Sequence, residues 1–329
     1  MGRSGRLHNL VRRFAGVRAL VIGDLMLDQF VWGDVSRISP EAPVPIVRVR
    51  RQEVRPGGAG NVVSNIIALG GRATACGFVG RDAAGRALLT ALQGGGSALA
   101  GVITSRTLTT TSKTRVIAHQ QQVVRFDHDA DHDALPPHLT RRLGAWVARH
   151  ARGFSVVIVS DYGKGVVTPE LLAELARLRA RHGFTYVIDP KRPNFPYYRG
   201  ASLVKPNLAE ASAAASVEIE DRASLAEAGR RLLERWQADS ILISRGEAGM
   251  TLFKRRAPAR HFPTAAHEVY DVTGAGDTVL ATCALALAAG GSFEEAAILA
   301  NEAAGIVVGK VGTATAGARE LARALAVRR

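Results

Sequence analysis

Short runs of consecutive apolar residues alternate along this chain with longer stretches of helical period. The runs fall at residues 18–23, 73–79, 155–160, 186–189, 202–204 and 240–244. The clearest is Ser155-Val156-Val157-Ile158-Val159-Ser160. Helices are predicted at about 169–181 and 224–236, each between two runs. A strand covered on both faces needs no polar alternation, so short, uniformly apolar strands separated by helices predict a parallel sheet. The fold class expected is therefore α/β, a mostly parallel central sheet with helices on both faces.

Two stretches, about 30–50 and 107–127, break the rhythm. They are polar and β-rich with few helical signals, as in Val44-Pro45-Ile46-Val47-Arg48-Val49-Arg50 and Thr114-Arg115-Val116-Ile117-Ala118. Ribbons of this kind could form a small β-sheet lid over a cleft. Near the end, residues 276–289 and 293–309 read as two packed helices, with Gly290-Gly291 as the stop between them. No solenoid-like repeat appears. The whole of 1–329 is read as one domain carrying the two lid ribbons.

Composition narrows the class. Hydrophobic residues make up 47% of 329, so a sizeable core is expected. Two cysteines, Cys76 and Cys283, give no disulfide framework, which suggests a reducing, cytoplasmic setting. The basic N-terminus is not followed by an apolar h-region, and the small-apolar run at 279–289 is too short to span a bilayer. A net charge of +14 has three readings: nucleic-acid binding, attraction of phosphorylated small molecules, or surface drift. The basic residues are scattered and aromatics are only 5%, which disfavours nucleic acid.

Chemistry concentrates in Asp271-Val272-Thr273-Gly274-Ala275-Gly276-Asp277. The glycines permit close backbone approach at a helix N-terminus, where free N–H groups favour anions. The carboxylate directly after them makes sense if it faces a hydroxyl that must lose a proton while the amides stabilise a transferring phosphoryl group. A Gly-rich turn capped by Asp explains the same residues without function.

This segment resembles the C-terminal signature of the PfkB, or ribokinase-like, family of carbohydrate kinases. The resemblance implies that Asp277 is the catalytic base and that the Gly274, Ala275 and Gly276 amides form an anion hole. Other segments match in the same order. Gly57-Gly58-Ala59-Gly60-Asn61 resembles the family's N-terminal Gly-Gly signature, with one residue fewer before the Asn than in ribokinase. It implies sugar contacts from Gly57, Gly58 and Asn61, joined by Asp28 after the first strand. Lys205-Pro206-Asn207-Leu208-Ala209-Glu210 resembles the Asn-x-x-Glu motif, in which Asn207 and Glu210 help place Mg²⁺ through water or phosphate. Ser244 and Gly246, with Lys205, Thr273 and Asn301, would line the ATP site. The resemblance allows a K⁺ ion near Asp271 and Thr273, and a homodimer paired through lid strands.

A narrower likeness lies in residues 36–45, Ser160-Asp161-Tyr162-Gly163-Lys164-Gly165, Ile188-Asp189-Pro190-Lys191 and residues 304–315. These look like bacterial heptose 7-phosphate kinases of ADP-heptose synthesis for lipopolysaccharide. Such enzymes phosphorylate O1 of D-glycero-β-D-manno-heptose 7-phosphate, and the chain resembles the stand-alone form. Lys164 and Lys191 each follow a β-like run, where open α/β sheets bind ligands, and could hold a sugar phosphate; ordinary surface lysines would look the same. Asp161 and Asp189 could bind hydroxyls or cap turns. Rival readings are a PfkB kinase for another sugar, sugar phosphate or nucleoside, and a basic nucleic-acid binder on a degenerate kinase scaffold.

Other patterns fail. Gly305 to Lys310 is one residue short of a P-loop, and Val311 stands where Ser or Thr is required. Residues 127–138 lack the Gly and Glu of a calcium loop, with His132 and His138 in their places. His128 and His132 have no third zinc ligand at a convincing spacing.

Overall fold

The structure is a computed structural model that describes residues 3–119, 121–129, 135–266 and 268–327. Asp131 and His132 of the rejected calcium and zinc patterns lie outside the described residues. Thirteen strands are described: β1 (Arg18–Gly23), β2 (Leu25–Ile38), β3 (Pro45–Gly58), β4 (Arg72–Gly80), β5 (Ala98–Ser105), β6 (Ser112–Ala118), β7 (Gln121–His128), β8 (Val156–Ser160), β9 (Thr185–Asp189), β10 (Leu203–Val204), β11 (Ser240–Ser244), β12 (Met250–Lys254) and β13 (Arg260–Phe262).

Nine of these form one sheet in the order β13-β12-β11-β10-β9-β8-β1-β4-β5. The pairs from β11 through to β5 are parallel, and only the β11–β12 and β12–β13 pairs are antiparallel. Sequence alternation explains the burial. In β1, Ala19 and Val21 enter one apolar cluster while Leu20 and Ile22 enter the other. Side chains on successive strand residues point to opposite faces, and helices cover both. The expected α/β class is the one observed. The antiparallel hairpin β12–β13 gives no run of the kind that marks the parallel strands, because β12 carries Thr251 and Lys254 and β13 is three residues long and mostly exposed.

The second sheet, β3-β2-β6-β7, rests on the first through β2. This strand follows β1 after Asp24 alone. Its first residues, Leu25, Met26 and Leu27, are buried, while its far end is exposed. The predicted ribbon at 30–50 is thus the outer part of a longer β2–β3 hairpin whose base is embedded in the main body.

The topology sets the site. From the central strand β1 the chain moves outward to β4 and β5 on one side and to β8, β9, β10 and β11 on the other. Ligand crevices in open sheets form at such switch points, beyond the carboxyl ends of the strands. Asp24, Asp161, Asp189, Lys205 and Ser244 all stand at or just past those ends.

Candidate active site

Gly274 begins the helix Ala275–Ala288 with φ +81°, the left-handed region. A side chain there would be strained, and its Cβ would lie 2.7 Å from Asn61 Nδ2. Glycine therefore lets two turns touch. Asp277, in the first helical turn, is buried and points into the contact. Its Oδ2 accepts from Asn61 Nδ2 at 2.8 Å and its Oδ1 from Tyr162 Oη at 2.7 Å. Asn61 is steadied by Asn65, which donates to its carbonyl at 3.0 Å and accepts from Thr278 Oγ1 at 2.8 Å.

The amides of the turn are not equivalent. Ala275 N–H donates to Val272 O at 3.2 Å. Gly274 and Gly276 N–H make no hydrogen bond among the described residues, so they are the donors available to an anion. Asp271 braces the turn, accepting from Thr273 N at 2.9 Å and Gly312 N at 2.9 Å. Burial alone would raise its pKa, but these donors hold the carboxyl below the ordinary aspartate range.

Charge converges around Asp277. Burial pushes its carboxyl upward, against the donors Asn61 and Tyr162 and the Lys205 ammonium, while Asp28 reinforces the rise. Lys205 is buried, and its Nζ lies 3.0 Å from Asp189 Oδ1. Burial works to lower the ammonium, but Asp189, Glu210 and Asp277 outweigh it and hold Lys205 above the usual lysine value. Asp189 itself is pushed by burial to about 7, against the pull of Lys205.

Asp28 is buried on β2 and forms an ion pair with Arg115 of β6 at 2.7 Å. Gly57 faces it, and a Cβ there would come within 2.5 Å of Asp28 Oδ2. Gly58, φ +56°, lets the chain turn into the helix Ala59–Ala68 against Asp24 O. Gly57 thus packs on Asp28, and Asn61, three residues past Gly58, reaches Asp277. Beside Asn61 an open cavity of about 400 Å³ is lined by Arg55, Ser64, Lys310 and Thr313 among others.

The remaining candidates are placed differently from one another. Asn207 and Ser244 meet through an isolated β-bridge, with Ser244 N donating to Pro206 O at 3.1 Å. Gly246, φ +58°, makes the turn after β11. Asn207 and Glu210 form a reciprocal capping box on the helix Leu208–Ala215. Glu210 also pairs with Lys191 at 3.0 Å, so two residues expected at separate subsites touch. Lys164 pairs with Asp129 at 2.8 Å. Asp161 spends its oxygens inward, on Gly163 N, Asn194 Nδ2 and Tyr198 Oη at 2.7, 2.6 and 2.6 Å. Asn301 is buried and donates to Pro263 O at 2.7 Å, tying the segment after β13 across the helix Phe293–Val308. Tyr162 lies inside the 160–165 motif and Arg115 on a lid ribbon, but no local feature of the sequence marked either side chain as part of the site.

The pfkB family carbohydrate kinase matches residues 18–320. The chain is 47% identical over 319 residues to the bifunctional protein HldE of Geobacter sulfurreducens, covering 97% of this chain and 65% of that protein. It is likewise 47% identical to the bifunctional protein HldE of Nitrosococcus oceani over 315 residues, covering 95% and 64%. The chain thus spans somewhat less than two thirds of these curated relatives. Among solved structures, phosphofructokinase-2 of Escherichia coli in complex with potassium superposes with a TM-score of 0.78 at 22% identity, covering 94% of this chain and 98% of that one. Arabidopsis thaliana ribokinase complexed with ribose and ATP gives 0.73 at 19%, with the same coverage. At such identities these two speak to the fold.

Proposed function

Because the chain belongs to the pfkB family of carbohydrate kinases, we propose that this sugar kinase transfers the γ-phosphoryl group of ATP to O1 of D-glycero-β-D-manno-heptose 7-phosphate. The observation that carries the chemistry is the buried Asp277 carboxylate set in the same helical turn as the unspent Gly274 and Gly276 amides. The heptose assignment rests on the motifs at 36–45, 160–165, 188–191 and 304–315, together with the likeness to HldE proteins.

In this reading the sugar lies against Asp28, Gly57, Gly58 and Asn61. Asp277 accepts the proton of the O1 hydroxyl as that oxygen bonds to the γ-phosphorus and the bond to the β-phosphate oxygen breaks. Charge on the moving phosphoryl meets the Gly274 and Gly276 N–H groups, with the Lys205 ammonium behind them. ADP leaves from the side of Ser244, Gly246 and Thr273. A divalent cation, Mg²⁺, neutralises the phosphates when bound. Both Glu210 oxygens are engaged, by Asn207 N–H and Lys191, which suits contact through water or phosphate. A K⁺ ion beside Asp271 and Thr273 would stiffen the anion turn. Lys164 and Lys191 supply the charge for the 7-phosphate once they exchange their present carboxylate partners.

Pairing of two copies through the smaller sheet fits its exposed outer strand β7, where Val123, Val124 and Phe126 face outward. The test of function is an acceptor panel read by ADP release, including heptose 7-phosphate, fructose 6-phosphate, ribose and a nucleoside. Turnover with heptose 7-phosphate at least tenfold above the rest supports the assignment. Equal or better turnover with another acceptor overturns it.

A further inference from the structure

The Asp277 carboxylate is held at both oxygens, and the two holders come from different parts of the chain. Asn61 belongs to a helix, but Tyr162 sits in the irregular segment between β8 and the helix Pro169–His182. No ladder or helix fixes that segment. Its backbone is instead gathered onto Asp24, which is buried just past β1. Tyr162, Lys164 and Val166 N–H groups all donate to the Asp24 carboxylate, at 2.8, 3.2 and 3.2 Å. Asp161 secures the same loop from its other end through Gly163 N at 2.7 Å. Burying two carboxylates under one short loop is costly unless each is satisfied; here Asp24 takes three loop N–H groups, and Asp161 takes one while tying the loop to Asn194 and Tyr198.

The terminal torsion of an aspartate is soft, so one hydrogen bond leaves its carboxylate free to swing. A second, on the other oxygen, removes that freedom. We propose that Tyr162 is a positioning residue for phosphoryl transfer: its hydroxyl, fixed by Asp24 through the loop backbone, aims the Asp277 carboxylate at the acceptor hydroxyl. The inference rests on the reading of Asp277 as the base. The charges that act on this bond are Asp28 and Asp189 at Tyr162, and Lys205 and Asp28 at Asp277.

Tyr162→Phe removes the hydroxyl and keeps the ring. The expected result is a kcat lower by about tenfold to a hundredfold, the scale of a misaimed reacting group. KM for ATP is unchanged. The acid limb of kcat moves to higher pH, because a donor to the charged carboxylate is gone. Asp24→Asn moves kcat and the limb the same way, and the double variant falls no further than the worse single one. Wild-type kcat and limb in Tyr162→Phe overturn the proposal. So does an equal loss at every pH with a lowered melting temperature, or a multiplicative double variant. Asp277→Asn, run in parallel, separates the two claims. If it keeps turnover, the base assignment fails; if only Tyr162→Phe is silent, the positioning claim alone fails.

Discussion

Asn61 Nδ2 donates to Asp277 Oδ2 at 2.8 Å, across 216 positions of sequence. The N-terminal Gly-Gly turn and the C-terminal Gly-Ala-Gly turn meet at this bond. Both turns need glycine to let groups approach: a side chain at Gly274 would occupy the place of the Asn61 amide, and one at Gly57 would meet the Asp28 carboxylate.

Asp277→Asn preserves shape and Asn61 contact but cannot take a proton. The expected loss of kcat is on the order of 10²–10⁴, the usual range for a general base. Steady-state ADP release with saturating sugar phosphate measures it, and circular dichroism checks that the fold survives.

Gly274→Ala forces an L side chain into the left-handed region and against Asn61. The strain is about 1–2 kcal/mol, read as a lower urea midpoint. Turnover falls as well, because the displaced Asn61 releases Asp277. A variant with unchanged midpoint and kcat would show that the turn relaxes freely.

Arg115→Met leaves Asp28 buried without its partner. Removing one member of a buried pair costs about 3 kcal/mol or more, and both side chains here are largely covered. Denaturant unfolding should show that loss. KM for the acceptor should rise while KM for ATP stays put, since the pair lies where we propose the sugar binds.

Burial, reinforced by Asp161, pushes Asp24 from 3.8 to about 6. An acid raised in the folded state adds stability below its unfolded value and loses it as pH climbs through the folded one. Wild-type stability should therefore fall, relative to Asp24→Asn, by about 2 kcal/mol between pH 4 and pH 7. Urea titrations of both proteins across that window test it. A constant difference between them at all pH values would refute the shift.

Local pattern was enough for much of this protein. The apolar runs at 18–23, 155–160 and 240–244 are strands of the main sheet, because a segment buried on both faces has no freedom to be polar. The glycine turns were equally legible, since Gly58 pairs φ +56° with ψ −132° and Gly274 takes φ +81°, conformations that strain an L side chain. What sequence could not supply is which charges neutralise which. Lys191 and Glu210 stand at the ends of different strand–helix units, and only the parallel order β9-β10-β11 sets them side by side. Asp28 and Arg115 are matched by the β2–β6 register, while Lys164 and Asp129 meet where the loop after β8 approaches the end of β7.

By itself, then, the amino-acid order determined the layers and the turns and singled out Asp277 as the carboxylate proposed to be the base, all from periodicity or from motifs within a few residues. Tertiary structure alone decided that Tyr162 would reach Asp277, that Asp24 would gather the loop between them, and that Asp161 would turn inward. Those outcomes follow from strand order at the carboxyl edge of the sheet, where groups far apart in the chain are pressed into one poorly hydrated volume. There the energy of each charge depends on neighbours that no local window contains.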